Sequence, residues 1–250
     1  MDTGLKGKVA VVTGGARDVG REISLALAAE GAAVAINYNS SSEEAEAVAA
    51  EVRQAGAEAR TYQSDVADHA GVCRMVDAVM RDFGRIDVLV NNAGYTKRQR
   101  FVDTTPADWK RQIDVGLYGV IHTCHAVLPH MLRQDGGRIV NFTGDSARVG
   151  ENGLAVTAAS RGGVLALTKS LAREVGRANV TVNAISLGLI ETPHDQAWVE
   201  ENRDKLVRLY PMRRLGRTTD VAPMVVFLAS AHASWVTGQV ISVNGGFSMS

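Results

Sequence analysis

Lys8-Val9-Ala10-Val11-Val12-Thr13-Gly14-Gly15-Ala16-Arg17-Asp18-Val19-Gly20 joins a short apolar run to a glycine-rich turn, and the residues after it read as a helix. Lys8–Thr13 is rich in valine and bounded by glycine, the pattern of a strand buried on both faces. In Arg21–Glu30 the apolar Ile23, Leu25, Ala26 and Leu27 give a helical pattern that Gly31 stops. A strand, a glycine turn and a helix start together let a backbone approach a pyrophosphate. The glycines remove side-chain bulk, and the free N–H groups at the helix start carry partial positive charge. Such a turn is weak evidence by itself, because many strand-to-helix turns need glycine for geometry alone.

The alternation continues to the end of the chain. Strands are expected at Ala33–Tyr38, Ala59–Tyr62, Ile86–Asn91, Arg138–Phe142, Val180–Ile185 and Gln239–Val243. Ser40-Ser41-Ser42 before Glu43-Glu44 caps a helix running to about Ala55, with acids at its positive end. Further helices are expected at Ala70–Phe83, Pro106–Arg133, Leu154–Val175, His194–Leu209 and Thr219–Ser230. Strands alternating with helices imply right-handed crossovers and a parallel sheet covered on both faces. The expected fold is α/β, a doubly wound parallel sheet of Rossmann-like type, as a single domain over residues 1–250.

Composition narrows the function classes. Hydrophobic residues make up 46% and charged residues 22%, and 27 basic side chains balance 27 acidic ones. A net charge of zero gives no electrostatic reason to expect nucleic acid or an anionic membrane as a partner. No apolar run reaches membrane-spanning length, and the N-terminus shows no apolar signal region, so a cytoplasmic location is expected. Cys73 and Cys124 form neither a disulfide framework nor a spaced metal motif. His122 and His125 are three apart on one helix, but no second ligand pair stands out, so no metal is expected and a helix-surface or interface role is read for them.

Several segments together resemble the short-chain dehydrogenase/reductase family. Thr13–Gly20 is similar to its T-G-x-x-x-G-x-G turn, and Asn91-Asn92-Ala93-Gly94 matches its N-N-A-G. Ser64-Asp65-Val66 resembles its adenine-contacting segment. Asn183–Thr192 resembles N-A-I-x-P-G-x-I-x-T, with Leu187 in place of the proline. Thr237-Gly238-Gln239 and Asn244-Gly245-Gly246 resemble the C-terminal signature. The resemblance implies a nicotinamide dinucleotide. Gly14, Arg17 and Gly20 would surround its phosphates, with Val19 in the same turn; Asp18, standing where the family has a second turn glycine, is read as pointing outward toward the helix N-terminus, because its carboxylate would repel a phosphate. Asn39, Asp65 and Val66 would lie at the adenosine end. Asn91, Ala93, Gly94 and Arg161 would meet ribose, and Gly188, Ile190 and Thr192 the nicotinamide. The second strand ends in Asn37-Tyr38-Asn39-Ser40 without a carboxylate for a ribose 2′-hydroxyl, which with Arg17 favours NADP(H) over NAD(H). A cofactor used without redox chemistry, or lost altogether, is also open.

The same resemblance exposes a conflict. The family's catalytic tyrosine falls on Thr157 and its lysine on Arg161. Its serine falls on Gly144 and its asparagine on Gly116. A threonine hydroxyl is too weak an acid to replace a phenol, and arginine titrates too high to exchange protons. Three of the replacements remove volume, so either a widened pocket or a collapsed, inert site is expected. Asp145, Ser146, Thr157, Arg161 and Tyr95 are the candidates for whatever chemistry remains, with Thr143 and His194 nearby. The leading expectation is a protein with a degenerate site, acting on a small hydroxy, keto or enol compound by non-redox chemistry such as cyclisation, dehydration or isomerisation. The alternatives are an inactive subunit assembling with an active paralogue, and an NADPH-dependent carbonyl reductase with substitute proton donors. The resemblance further implies a homodimer or homotetramer, for which Gly116, Gly119, Ala158, Ala159, Gly162 and Gly163 would let helices approach, and a substrate-covering segment at about residues 188–212.

Overall fold

The computed structural model describes residues 2–193 and 196–249. Seven parallel strands form one sheet in the order β3-β2-β1-β4-β5-β6-β7. They are β1 Val9–Thr13, β2 Ala33–Tyr38, β3 Ala59–Gln63, β4 Val88–Asn91, β5 Gly137–Gly144, β6 Val180–Leu187 and β7 Val240–Val243. The helices are α1 Asp18–Ala29, α2 Ser42–Gln54, α3 His69–Phe83, α4 Pro106–Ile113 and α5 Gly119–Arg133, then α6 Ser146–Val149, α7 Ala155–Val175, α8 Gln196–Arg208 and α9 Thr218–Ala229.

The strands are buried because their side chains alternate between two cores. Ala10 and Val12 of β1 pack with Ile23 and Leu27 of α1, Val48 of α2 and Val225 of α9. Val9 and Val11 point the other way, into a core with Val76 of α3, Val127 of α5 and Val164 of α7. Full burial of each such side chain contributes about 1.5–3 kcal/mol. This is the doubly wound α/β arrangement expected from the sequence. No helix among the described residues is long and apolar enough to cross a membrane.

Strand order fixes where a ligand can sit. β1 pairs with β2 on one side and with β4 on the other. The chain therefore reverses its direction across the sheet between β1 and β4, and a crevice opens beyond their carboxyl ends. The glycine turn leaves β1 there, and Asn92–Gly94 leaves β4 beside it.

One expected element differs. The run Pro106–Arg133 is not a single helix. It divides into α4, a π-helical turn at Asp114–Tyr118, and α5. Thr105 and Asp108 cap α4 reciprocally: Thr105 Oγ1 accepts from the Asp108 N–H, and the Asp108 carboxylate accepts from the Thr105 N–H. The π turn adds a residue to the helix without changing the apolar pattern on either side, so periodicity does not reveal it. Near the covering segment, α8 begins at Gln196, and the expected helix start at His194 lies outside the described residues.

Candidate functional site

The turn after β1 is built as a cradle. Gly14 has a φ of 61°, a left-handed conformation that favours glycine. A Cβ at Gly20 would lie 2.0 Å from the Gly14 carbonyl oxygen and 2.7 Å from Asn92 Nδ2. No side chain fits there. Polar groups from distant strands hold the turn. Asn37 Oδ1 accepts from the Gly14 N–H at 3.3 Å, while its Nδ2 donates to the carbonyls of Tyr62 and Ser64. Asn92 Nδ2 donates to the carbonyls of Thr13 and Gly14, and Thr13 Oγ1 accepts from the N–H groups of Asn92 and Ala93. Ser24 Oγ donates to the carbonyls of Gly15 and Gly20. Asn37, Asn92, Thr13 and Ser24 were not singled out by the sequence reading. The available signal was a polar residue inside or just beyond an apolar strand.

Around this cradle stand the residues named for the nucleotide. Arg17 is exposed at the N-cap of α1, with no carboxylate partner among the described residues. Asp18 opens α1 with a φ of 49°, which aspartate tolerates better than most residues. Val19 and Gly20 are buried in the first turn. Asn39 is exposed at the end of β2, and its carbonyl accepts from Gln63 Nε2. The Asp65 carboxylate pairs with Arg111 at 2.9 Å and accepts from the Ala67 N–H. Burial works to raise its pKa, but those two partners hold it below the usual carboxylate range. Val66 is buried, and its carbonyl accepts from His122 Nδ1. Across the crevice, Gly188 packs against Asn244 and the Tyr210 ring, Ile190 bridges to Gly216, and Thr192 is half-buried.

Asn91 requires correction. Its side chain is 3% exposed and fully engaged beneath the cleft. Nδ2 donates to Asn141 Oδ1 at 2.9 Å, and Oδ1 accepts from Thr123 Oγ1 at 2.6 Å. It ties β4 to β5 and α5 instead of reaching a ribose. Ala93 and Gly94 remain on the cleft side.

Of the two expectations for the reaction centre, the side toward Gly116 is filled. The position a Cβ at Gly116 would take lies 2.5 Å from Ser160 Oγ. Thr157 Oγ1 donates to Gln112 Oε1 at 2.6 Å, and Ser160 Oγ donates to the Gln112 carbonyl at 3.3 Å. Gln112, 2% exposed, thus packs beside Thr157 and occupies its hydroxyl. Gly116, Gly119 and Gly163 serve close packing within the chain, against Ser160, Val66 and Leu117. Of the small residues expected at an interface, Gly162 faces open space and Ala159 is exposed.

Asp145 also departs from expectation. It is 1% exposed. One carboxylate oxygen accepts from Ser186 Oγ at 2.7 Å and the other from Asn244 Nδ2 at 2.6 Å. It pins the loop after β5 to β6 and to the segment after β7, the work of a structural anchor and not of a free acid or base. Thr143 is likewise committed, its hydroxyl donating to the Arg161 carbonyl.

Ser146 and Arg161 do lie at this region. A Cβ at Gly144 would have Ser146 Oγ 3.6 Å away as its nearest neighbour, so a serine hydroxyl stands beside the position the family gives to serine. Arg161 Nη1 donates to the Phe142 carbonyl at 3.0 Å, and Nη2 lies 2.8 Å from where a Gly94 Cβ would be. Burial lowers its pKa. Tyr95 is 41% exposed at the carboxyl end of β4, with no hydrogen-bond partner among the described residues. At the rim, the Arg98 guanidinium lies 5.0 Å over the Trp198 ring of α8 and donates to the Asn152 carbonyl. Tyr210, a phenol the sequence reading passed over, accepts from the Leu189 N–H at 2.8 Å. Burial raises its pKa.

The chain belongs to the short-chain dehydrogenase/reductase family. A family model described as Enoyl-(Acyl carrier protein) reductase matches residues 14–248. Among curated proteins it is similar to the 3-oxoacyl-[acyl-carrier-protein] reductase FabG of Staphylococcus epidermidis, with 42% identity over 97% of this chain and 99% of the relative. It is also similar to FabG of Thermotoga maritima, 38% identical over 97% of this chain and 98% of the relative. A solved structure from Sinorhizobium meliloti assigned to the short-chain alcohol dehydrogenases superposes with a TM-score of 0.93 at 31% identity, covering 97% of each chain.

These relatives correct the functional expectation. Proteins 38–42% identical over nearly the whole chain are named reductases. That overturns the leading reading of a degenerate site running non-redox chemistry. It also overturns the reading of an inactive subunit, and favours the alternative of a carbonyl reductase.

Proposed function

We propose that the protein is an NADP(H)-dependent carbonyl reductase for 3-oxoacyl thioesters, delivering the proton through residues other than a tyrosine–lysine pair. The observation that carries this reading is the Gly14–Gly20 turn, where Gly20 packs the start of α1 directly onto the Gly14 carbonyl and leaves no room for a Cβ. That contact brings the α1 N-terminus against the glycine turn, the arrangement that receives a pyrophosphate. The named reductases at 38–42% identity support the substrate class.

Within this reading Gly14, Val19 and Gly20 hold the pyrophosphate. Arg17 takes a 2′-phosphate, a role suited to an exposed guanidinium, and Asn39 offers no competing carboxylate. Asp65 and Val66 border the adenine. Ala93, Gly94 and Arg161 border the nicotinamide ribose, and Gly188, Ile190 and Thr192 the amide. When bound, the nicotinamide supplies a hydride to the carbonyl carbon. The protein must then orient the carbonyl oxygen and provide its proton. Ser146 Oγ, beside Gly144, orients the oxygen. Tyr95, whose phenol is not committed to another described residue, donates the proton. Thr157 does neither, because its hydroxyl is held by Gln112. The segment 188–212 covers the substrate. A homodimer or homotetramer is the proposed assembly, with Ala159 and Gly162 of α7 on the outer face.

The test is NADPH consumption with an acetoacetyl thioester. Turnover is expected, with a loss of about 10²–10⁴ in Tyr95→Phe, the range for losing general-acid help, and a smaller loss in Ser146→Ala. Background rates across a series of 3-oxoacyl thioesters would contradict the reductase reading. Full activity in both variants would contradict the roles given to Tyr95 and Ser146.

A further inference from the structure

The histidine pair on α5 has a partner pair that only the fold reveals. His69 and Cys73 are four apart on α3 and share one face of it. That face meets His122 and His125. The His69 ring centroid is 5.1 Å from that of His122 and 5.4 Å from that of His125. Cys73 Sγ is 3.7 Å from His69 Nε2. His69 and His125 are exposed, while His122 and Cys73 are half-buried. Three imidazoles and a thiol therefore meet at an accessible seam between α3 and α5.

We propose that His69, Cys73, His122 and His125 form a site for a divalent transition metal of the zinc class. Imidazole and thiolate are the donors such ions prefer. Two imidazoles on one tetrahedral zinc, each bonded at about 2.0–2.1 Å, have ring centres about 5.3 Å apart, the spacing found here. His122 is already oriented as a ligand. Its Nδ1 donates to the Val66 carbonyl at 2.9 Å, which fixes the tautomer and leaves Nε2 as the lone-pair nitrogen. A histidine ligand is normally held by such a bond to its other ring nitrogen. In the present rotamers no three His, Cys, Asp or Glu side chains among the described residues converge on one metal position. Binding therefore requires the exposed His69 and His125 side chains to turn toward His122 and Cys73.

The test uses tag-free protein stripped with a chelator. Zinc is titrated against a chromophoric competitor, and cobalt(II) is added separately as a spectroscopic probe. One zinc per chain is expected. His69→Gln and His125→Gln, both at exposed positions that leave folding intact, should weaken binding by more than the about 10–100-fold that loss of an outer partner costs. His130→Gln, outside the cluster, should leave binding unchanged. Cobalt should give tetrahedral d–d bands and a near-ultraviolet thiolate band that Cys73→Ser abolishes. Absence of stoichiometric zinc, or equal zinc affinity in His69→Gln, His125→Gln and the unaltered protein, would overturn the assignment.

Discussion

At the scale of single residues, the account separates groups that touch ligand from groups that hold others in place. Gly20 has no room for a methyl group, since a Cβ would overlap the Gly14 carbonyl at 2.0 Å. Gly20→Ala should therefore cost about 1–3 kcal/mol of stability in overpacking and, by displacing the turn, weaken NADPH by about 10- to 100-fold, read by fluorescence titration. Arg17 is exposed and should act on one cofactor only. Arg17→Ala is expected to weaken NADPH by about 10-fold, the scale of one charge-assisted hydrogen bond, and to leave NADH unchanged. Equal loss for both would remove Arg17 from the 2′-phosphate. At the reaction centre, Gln112 and Thr157 behave as a pair. Thr157→Tyr alone has to displace a side chain that is 2% exposed. The change to tyrosine, with Arg161→Lys and Gly144→Ser, should raise carbonyl reduction only when Gln112→Ala accompanies it. Gly144→Ser meets nothing closer than 3.6 Å and should be tolerated by itself.

At the scale of elements, the sheet entrance depends on Asp87, just before β4. Its carboxylate accepts from the Val9 N–H at 3.0 Å and pairs with Arg85 and Lys8. Burial works to raise its pKa, but these partners hold it below the usual range. The unfolded chain thus binds a proton more readily than the folded one. Asp87 contributes stability above the unfolded carboxylate pKa of about 3.9 and loses it as pH falls through the lower folded value. Thermal melts from pH 7 to pH 3 should show Asp87→Asn converging on the unaltered protein at the acid end. A constant gap across that window would contradict this. The strands were legible because their apolar residues face two cores, as Val9 and Val11 against Ala10 and Val12 illustrate. Strand order was not legible, since right-handed crossovers alone do not fix which strands neighbour each other. The π turn at Asp114–Tyr118 was not legible, because inserting a residue leaves the apolar types unchanged. Nor were the directions of the Asn91 and Asp145 side chains, whose partners Asn141, Ser186 and Asn244 lie 41–99 residues away in sequence. The glycine turn could be read locally, whereas the polar staples that shape it, Asn37 above all, join separate strands.

At the scale of the whole molecule, the nucleotide cradle and the catalytic centre are different kinds of construction. The cradle rests on the switch between β1 and β4 and is tied by hydrogen bonds to β2, β3 and β4. The centre rests on side chains of α4, α7 and the loop after β5, which are exchanged without disturbing the sheet. A ligand that binds only the folded state at 100 times its Kd adds about 2.7 kcal/mol, so saturating NADPH should raise the melting temperature by several degrees. Removing the rim contact with Trp198→Ala should reduce that gain, if the Arg98–Trp198 stack helps hold the covering segment. A gain as large as that of the unaltered protein would show that it does not. The central claim is that Gly14–Gly20 binds the pyrophosphate of NADP(H). Its most direct test is calorimetric titration of the unaltered protein and of Gly20→Ala with NADPH and with NADH. The account predicts saturable binding that favours NADPH and is lost or greatly weakened in the variant. No binding of either nucleotide, or equal binding by both proteins, would contradict it.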